Sequence, residues 1–163
     1  MPDAVTPSVR LIRRPLTWKR LVQAVDRQAT APAAPGWLRH CTAPGEWFLV
    51  RDGEEGQDGA ATLSPGYDQE TGLLTVDIGS AWHCIRLAGA ESRAVAAKGT
   101  AVDLHPSAFA AGDWRTCRFG HYRVHLHASA EDMLDIYFER GLVHLGDALL
   151  IELGAEYGIE VGG

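Results

Sequence analysis

Between Trp37 and Leu104 the chain is cut into short extended runs by turn residues, and a chain cut this way folds as a sheet of short strands. Trp47-Phe48-Leu49-Val50 is an apolar run fit for a strand over 46–51. Leu73–Ile78 alternates, with Leu74, Val76 and Ile78 on one face, and Ala81–Leu87 reads as the next strand. Short extended pieces are also expected at 60–63 and within 92–104. Ser64-Pro65-Gly66 and Asp68-Gln69-Glu70-Thr71-Gly72 are turn chemistry between them. Turns this short join neighbouring strands, which favours an antiparallel meander over βαβ units.

The flanks read differently. Residues 1–7 read as a loose tail, and Val9–Ile12 as a short strand. Trp18, Leu21, Val22 and Val25 recur at i, i+3, i+4, i+7, which predicts an N-terminal helix over about 17–28. The stretch from Ala29 to Gly36 carries two prolines and reads as an extended connector. Residues 105–120 look irregular. His121–His127 then alternates, with Tyr122, Val124 and Leu126 on one side and His121, Arg123, His125 and His127 on the other. Ser129 followed by Asp132 resembles a capping box, and the apolar residues from Met133 to Leu142 make a wide face. This predicts a C-terminal helical hairpin, about 130–140 and 147–157, although Leu134–Phe138 and Leu149–Leu153 also suit strands. Gly158 would close the second helix in the left-handed conformation, and Ile159–Val161 would form a last strand. The expectation is a single α+β domain over 1–163. In it, an antiparallel sheet of about five to seven strands carries the N-terminal helix and the C-terminal hairpin on it.

Charge is distributed unevenly along the 163 residues. Residues 1–40 hold seven basic groups and two acids, whereas residues 129–163 hold one arginine and eight acids. The net charge of −6 argues against extended nucleic-acid binding. No apolar run is long enough to cross a membrane, and a cytoplasmic protein is expected. Lysine occurs only at Lys19 and Lys98 and asparagine not at all, a bias of GC-rich, bacterial or bacteriophage genes. Cys41, Cys84 and Cys117 are odd in number and far apart, so reduced thiols are expected rather than a disulfide framework.

Chemistry could sit in three places. His121, His125 and His127 project from one strand face at a spacing that suits a shared divalent metal (zinc, manganese or iron), and Arg123 among them suits an anion or an anionic substrate. Glu131, Asp132, Asp103, His105 and Asp113 are the nearby groups able to complete such a site. In Trp82-His83-Cys84, neighbouring strand residues point apart, so His83 cannot activate Cys84. The acidic loop Asp52–Gly59 lacks the spacing of a calcium-binding EF-hand. Phosphate-binding glycine loops, the Gly-x-Ser-x-Gly elbow and the His-Glu-x-x-His motif are absent from the sequence. These features favour a non-catalytic protein-binding, assembly or accessory protein. It would engage a protein partner or its own copies. A small metal-dependent hydrolase built on the histidine strand is the alternative, and a small-molecule-binding or cyclase-type pocket is a third reading.

Overall fold

The computed structural model describes residues 8–14, 17–52 and 63–162, apart from the side chains of Thr17, Trp18 and Asp52. The strands are β1 (Val9–Arg14), β2 (Thr17–Ala24), β3 (Leu38–Ala43), β4 (Glu46–Asp52), β5 (Gly66–Asp68), β6 (Leu73–Asp77) and β7 (Trp82–Ala88). Helix α1 (Ser92–Ala97) follows, then β8 (Trp114–Phe119), β9 (Tyr122–Ala130), β10 (Met133–Glu139), helix α2 (Val143–Gly154) and β11 (Ile159–Gly162). The chain divides into two compact units, one from residues 1–15 and 83–163 and one from residues 16–82.

The first unit is built on a six-stranded sheet in the order β11-β1-β7-β10-β9-β8. β1 runs parallel to β11 and antiparallel to β7, while β8, β9 and β10 form an antiparallel meander. One face of this sheet is oily. Leu11, Ile85, Leu87, Leu126, Leu134, Ile136 and Phe138 are buried there with Val95 of α1 and Leu150 of α2. Helix α2 lies close because Gly146 has no side chain: a Cβ there would sit 3.0 Å from the Phe138 ring. Asp147 of the same helix is clamped by Arg13, whose Nε and Nη2 donate to Oδ2 at 2.9 and 2.8 Å.

The second unit is a five-stranded sheet in the order β3-β4-β2-β6-β5. Its central strand β2 pairs with β4 from Thr17↔Asp52 to Gln23↔Glu46 and with β6 from Arg20↔Asp77 to Ala24↔Leu73. Val22, Trp47 and Leu49 form its core, covered by Ala29, Ala31 and Ala34 of the connector and by Trp37 just after it. Buried Arg20 shares that face. It donates to the carbonyls of Leu63 and Lys19 at 3.2 Å each and pairs with Asp77 at 2.9 Å.

The expected architecture of helices on one sheet is therefore corrected. The N-terminal helix over 17–28 is strand β2, hydrogen-bonded on both sides, and Val25 is left 79% exposed. The C-terminal hairpin has one helix. Its first half is the end of β9, a turn at Glu131-Asp132, and β10. The second half is α2 followed by a 3-10 turn at Ala155–Tyr157, and Gly158 closes that turn in the left-handed conformation with φ 63°. The strand expected within 92–104 is helical α1, and the irregular 105–120 contains strand β8. The short strand at 60–63 falls almost wholly outside the described residues, as do the tail 1–7 and nearly all of the acidic loop. Strands β1, β4, β6, β7, β9 and β11 stand where the sequence reading puts them, and the turn at 68–72 joins β5 to β6.

Candidate functional site

The alternating segment is a strand, and its residues occupy two environments. His121 lies in the turn before β9 and Arg123 one residue into it, both exposed; His125 and His127 are each 3% exposed. The two buried imidazoles share the second face of the six-stranded sheet, opposite the oily one, and the register identifies their neighbours there. His127 stands between Trp114 of β8 and Asp135 of β10, and His125 between Thr116 and Tyr137.

Asp135 is the centre of this face. It is 1% exposed, and an isolated buried carboxylate would be untenable. Arg86 of β7 supplies the compensation in a two-pronged contact, Nε to Oδ1 at 2.6 Å and Nη2 to Oδ2 at 2.7 Å. Arg14 of β1 adds Nη1 to Oδ2 at 3.3 Å. Burial pushes the carboxyl up, but the Arg86 hydrogen bonds, His127 and the charges of Arg86 and Arg14 override it and hold Asp135 at about 2. His127 Nδ1 stands 3.8 Å from Oδ2, beyond direct hydrogen-bond range. Its ring stacks instead on Trp114, at 4.1 Å and 14°. Trp114 also stacks on Tyr137 at 5.5 Å, and Thr116 Oγ1 meets His125 Nδ1 at 2.9 Å. Burial, with Cys84 and Asp135 nearby, drives the Tyr137 phenol well above its ordinary range.

This arrangement holds charge in place. Asp135 is saturated by two guanidiniums, and a carboxylate so engaged is a poor proton acceptor. The other candidates are dispersed. Asp113 Oδ2 accepts from Ala110 N at 2.9 Å, and Asp103 Oδ1 from His105 N at 2.9 Å, both local turn bonds. Glu131 and Asp132 form the β9–β10 turn, where their backbone carbonyls receive Arg93 Nε and Ser92 Oγ. Among the described residues, no group of three His, Cys, Asp or Glu side chains is placed to hold a metal ion. Cys84 is buried, Cys117 half-buried and Cys41 exposed, and all three are free thiols. Adjacent residues of β7 take opposite faces, so His83 and Cys84 do point apart.

The sequence reading missed Asp135, Arg14 and Arg86. The signal was available in Leu134-Asp135-Ile136-Tyr137-Phe138: one carboxylate inside an apolar run must be buried with a cation or lie off the run's face.

Comparison with known proteins gives a consistent picture. The model of the sarcosine oxidase gamma subunit family (SoxG) matches residues 20–155. No curated protein matched the sequence. Among solved structures, a chain of the heterotetrameric sarcosine oxidase from Corynebacterium sp. U-96, in complex with pyrrole 2-carboxylate, superposes with a TM-score of 0.73 at 16% identity. That match covers 98% of this chain and 91% of that one. The glycine cleavage system aminomethyltransferase T from Bartonella henselae superposes with a TM-score of 0.60 at 11% identity. It covers 98% of this chain and 49% of that one. Identities this low establish a shared fold. No helix among the described residues is long and apolar enough to cross a membrane.

Proposed function

Because this chain belongs to the sarcosine oxidase gamma subunit family, we propose that it is a non-catalytic accessory subunit that docks on partner chains of a sarcosine oxidase-type assembly. A family of enzyme subunits implies protein partners. The accessory role rests first on the family match, which spans most of both compact units. Two features of the chain support it. The polar cluster around Asp135 consumes its charges internally, which suits a scaffold better than a reaction centre. Helix α2 presents Leu145 and Ile151 outward, 50% and 40% exposed, on a side its own sheet does not cover.

The test is reconstitution. Co-expressed with the remaining subunits of such an assembly and captured through a tag on one of them, the chain is expected to be retained in stoichiometric amount. Alone, it is expected to consume no sarcosine. Elution apart from the other subunits, or sarcosine turnover by the isolated chain, overturns the reading.

A further inference from the structure

The tip of the β8–β9 hairpin places two arginines against each other. Gly120-His121 forms a two-residue turn closed by Phe119↔Tyr122, with Gly120 at φ 57°. A positive φ at the first turn position suits a type II′ turn. In such a hairpin the closing pair exchanges backbone hydrogen bonds, and the next pair lies in a non-hydrogen-bonded site, where side chains come closest. That next pair is Arg118↔Arg123. Like charges directly opposite each other destabilise a sheet. Both side chains are exposed, and neither makes a hydrogen bond or ion pair within the described residues. Glu139 follows Tyr137 on the same face of β10, yet it too forms no ion pair with Arg123. His121 in the turn adds a third nitrogen-bearing side chain. This local basic tip belongs to a chain of net charge −6.

A like-charge pair facing across an exposed hairpin tip is relieved by an anion bound between its members. We propose that Arg118 and Arg123 form a carboxylate-recognition site for an acidic segment of a partner protein chain, with His121 at its rim. A carboxylate between two guanidiniums accepts charge-assisted hydrogen bonds from each and removes their repulsion. β8 is the edge strand of its sheet, so its outer backbone groups lie beside the same segment. The proposal rests on the chain being a subunit and identifies one surface through which it docks.

The experiment separates binding from folding. Arg118→Glu replaces the repulsive pair by an attractive one, and Arg118→Gln/Arg123→Gln removes the charge. Thermal melts of the isolated chain in low salt are expected to show both variants equal to the wild type or higher, by about 1–3 °C. Affinity for the co-expressed partner subunits is expected to fall on the order of 10- to 100-fold in both. The wild-type affinity is expected to weaken with added sodium chloride more steeply than that of the double variant. If the wild type assembles and both variants assemble equally well, this inference fails and the subunit reading survives. If the wild type does not assemble, the subunit reading fails and this inference with it. A lower melting temperature for Arg118→Gln/Arg123→Gln shows the arginines satisfied within the chain and also overturns the proposal.

Discussion

Asp135→Asn tests whether the cluster on the second sheet face holds this unit together. The substitution keeps the shape and removes the charge, leaving Arg86 and Arg14 facing each other. Breaking a fully buried ion pair from one side costs about 3–5 kcal/mol. Here each arginine side chain keeps 20% of its exposure, which lets water recover part of that, and about 2–3 kcal/mol is expected. The carboxyl itself gives a second route to the number. Held at about 2 instead of its ordinary 3.8, it favours the ionised form by ~2–3 kcal/mol. For a chain of this length the loss corresponds to a fall in melting temperature of about 4–12 °C. Urea titrations followed by circular dichroism measure it directly. The pH dependence has a definite sign. A carboxyl depressed in the folded state stabilises above its unfolded value, and that contribution disappears as pH falls from about 3.8 towards 2. The gap between wild type and variant is therefore expected to be widest near neutrality and to close over that window. A gap below about 1 kcal/mol at neutral pH, or one that stays constant on acidification, refutes the reasoning.

Other outcomes follow from single contacts. Arg86→Met is expected to destabilise by about 2 kcal/mol and to release the Asp135 carboxyl more than Arg14→Met does, because towards Asp135 Arg86 makes two short bonds and Arg14 one long one. Carbon-detected NMR titration of Asp135 checks the ranking independently, with the carboxyl rising further in Arg86→Met. Gly89→Ala is expected to cost about 2–4 kcal/mol in urea melts, since Gly89 sits at φ 126° and a Cβ would strike the Ser8 carbonyl and lie 3.3 Å from Val9 Cα. Arg93→Met removes donors to the carbonyls of Glu131, Leu104 and Phe109, at 2.6, 2.6 and 2.9 Å. It is expected to cost about 1–2 kcal/mol and to speed amide hydrogen exchange across 103–109 before the sheet itself exchanges.

The strands that the sequence reveals are those with an interrupted or alternating pattern. β6 alternates between glycine-bearing turns, β4 contains a four-residue apolar run, and β9 alternates cleanly at its start. Two that it misreads as helix, β10 and β2, are central strands with a hydrogen-bonded neighbour on each side. In β10 every residue from Leu134 to Phe138 is buried, so no period of two survives, and a continuous apolar run reads as one wide helical face. β2 misleads in a similar way. It has strands on both sides and charged residues, Lys19 and Arg20, buried within it, so only a short coincidence at i, i+3, i+4, i+7 remains to be read. The candidate site was legible as a strand and as a pair of neighbouring imidazoles. What lay across from them was not, because Arg14 and Asp135 are 121 residues apart in sequence and only the order of strands brings them together.

The placement of Asp135 also explains why this sheet pairs in one way. A slip of β10 by a single residue would turn Asp135 into the layer of Leu126, Ile85 and Phe138 and set an apolar side chain against Arg86. Each error leaves a buried charge without its partner, a penalty of several kcal/mol, whereas a slip in a uniformly apolar strand costs far less. The cluster thus uses charge to define the pairing of β7, β10 and β9. The same register that sets His127 opposite Asp135 and Trp114 carries Arg123 to its position opposite Arg118 at the hairpin tip. The buried end of this polar face is closed by its own ion pairs. The exposed end presents like charges facing each other, and it is there that the chain has electrostatic energy to gain from another molecule.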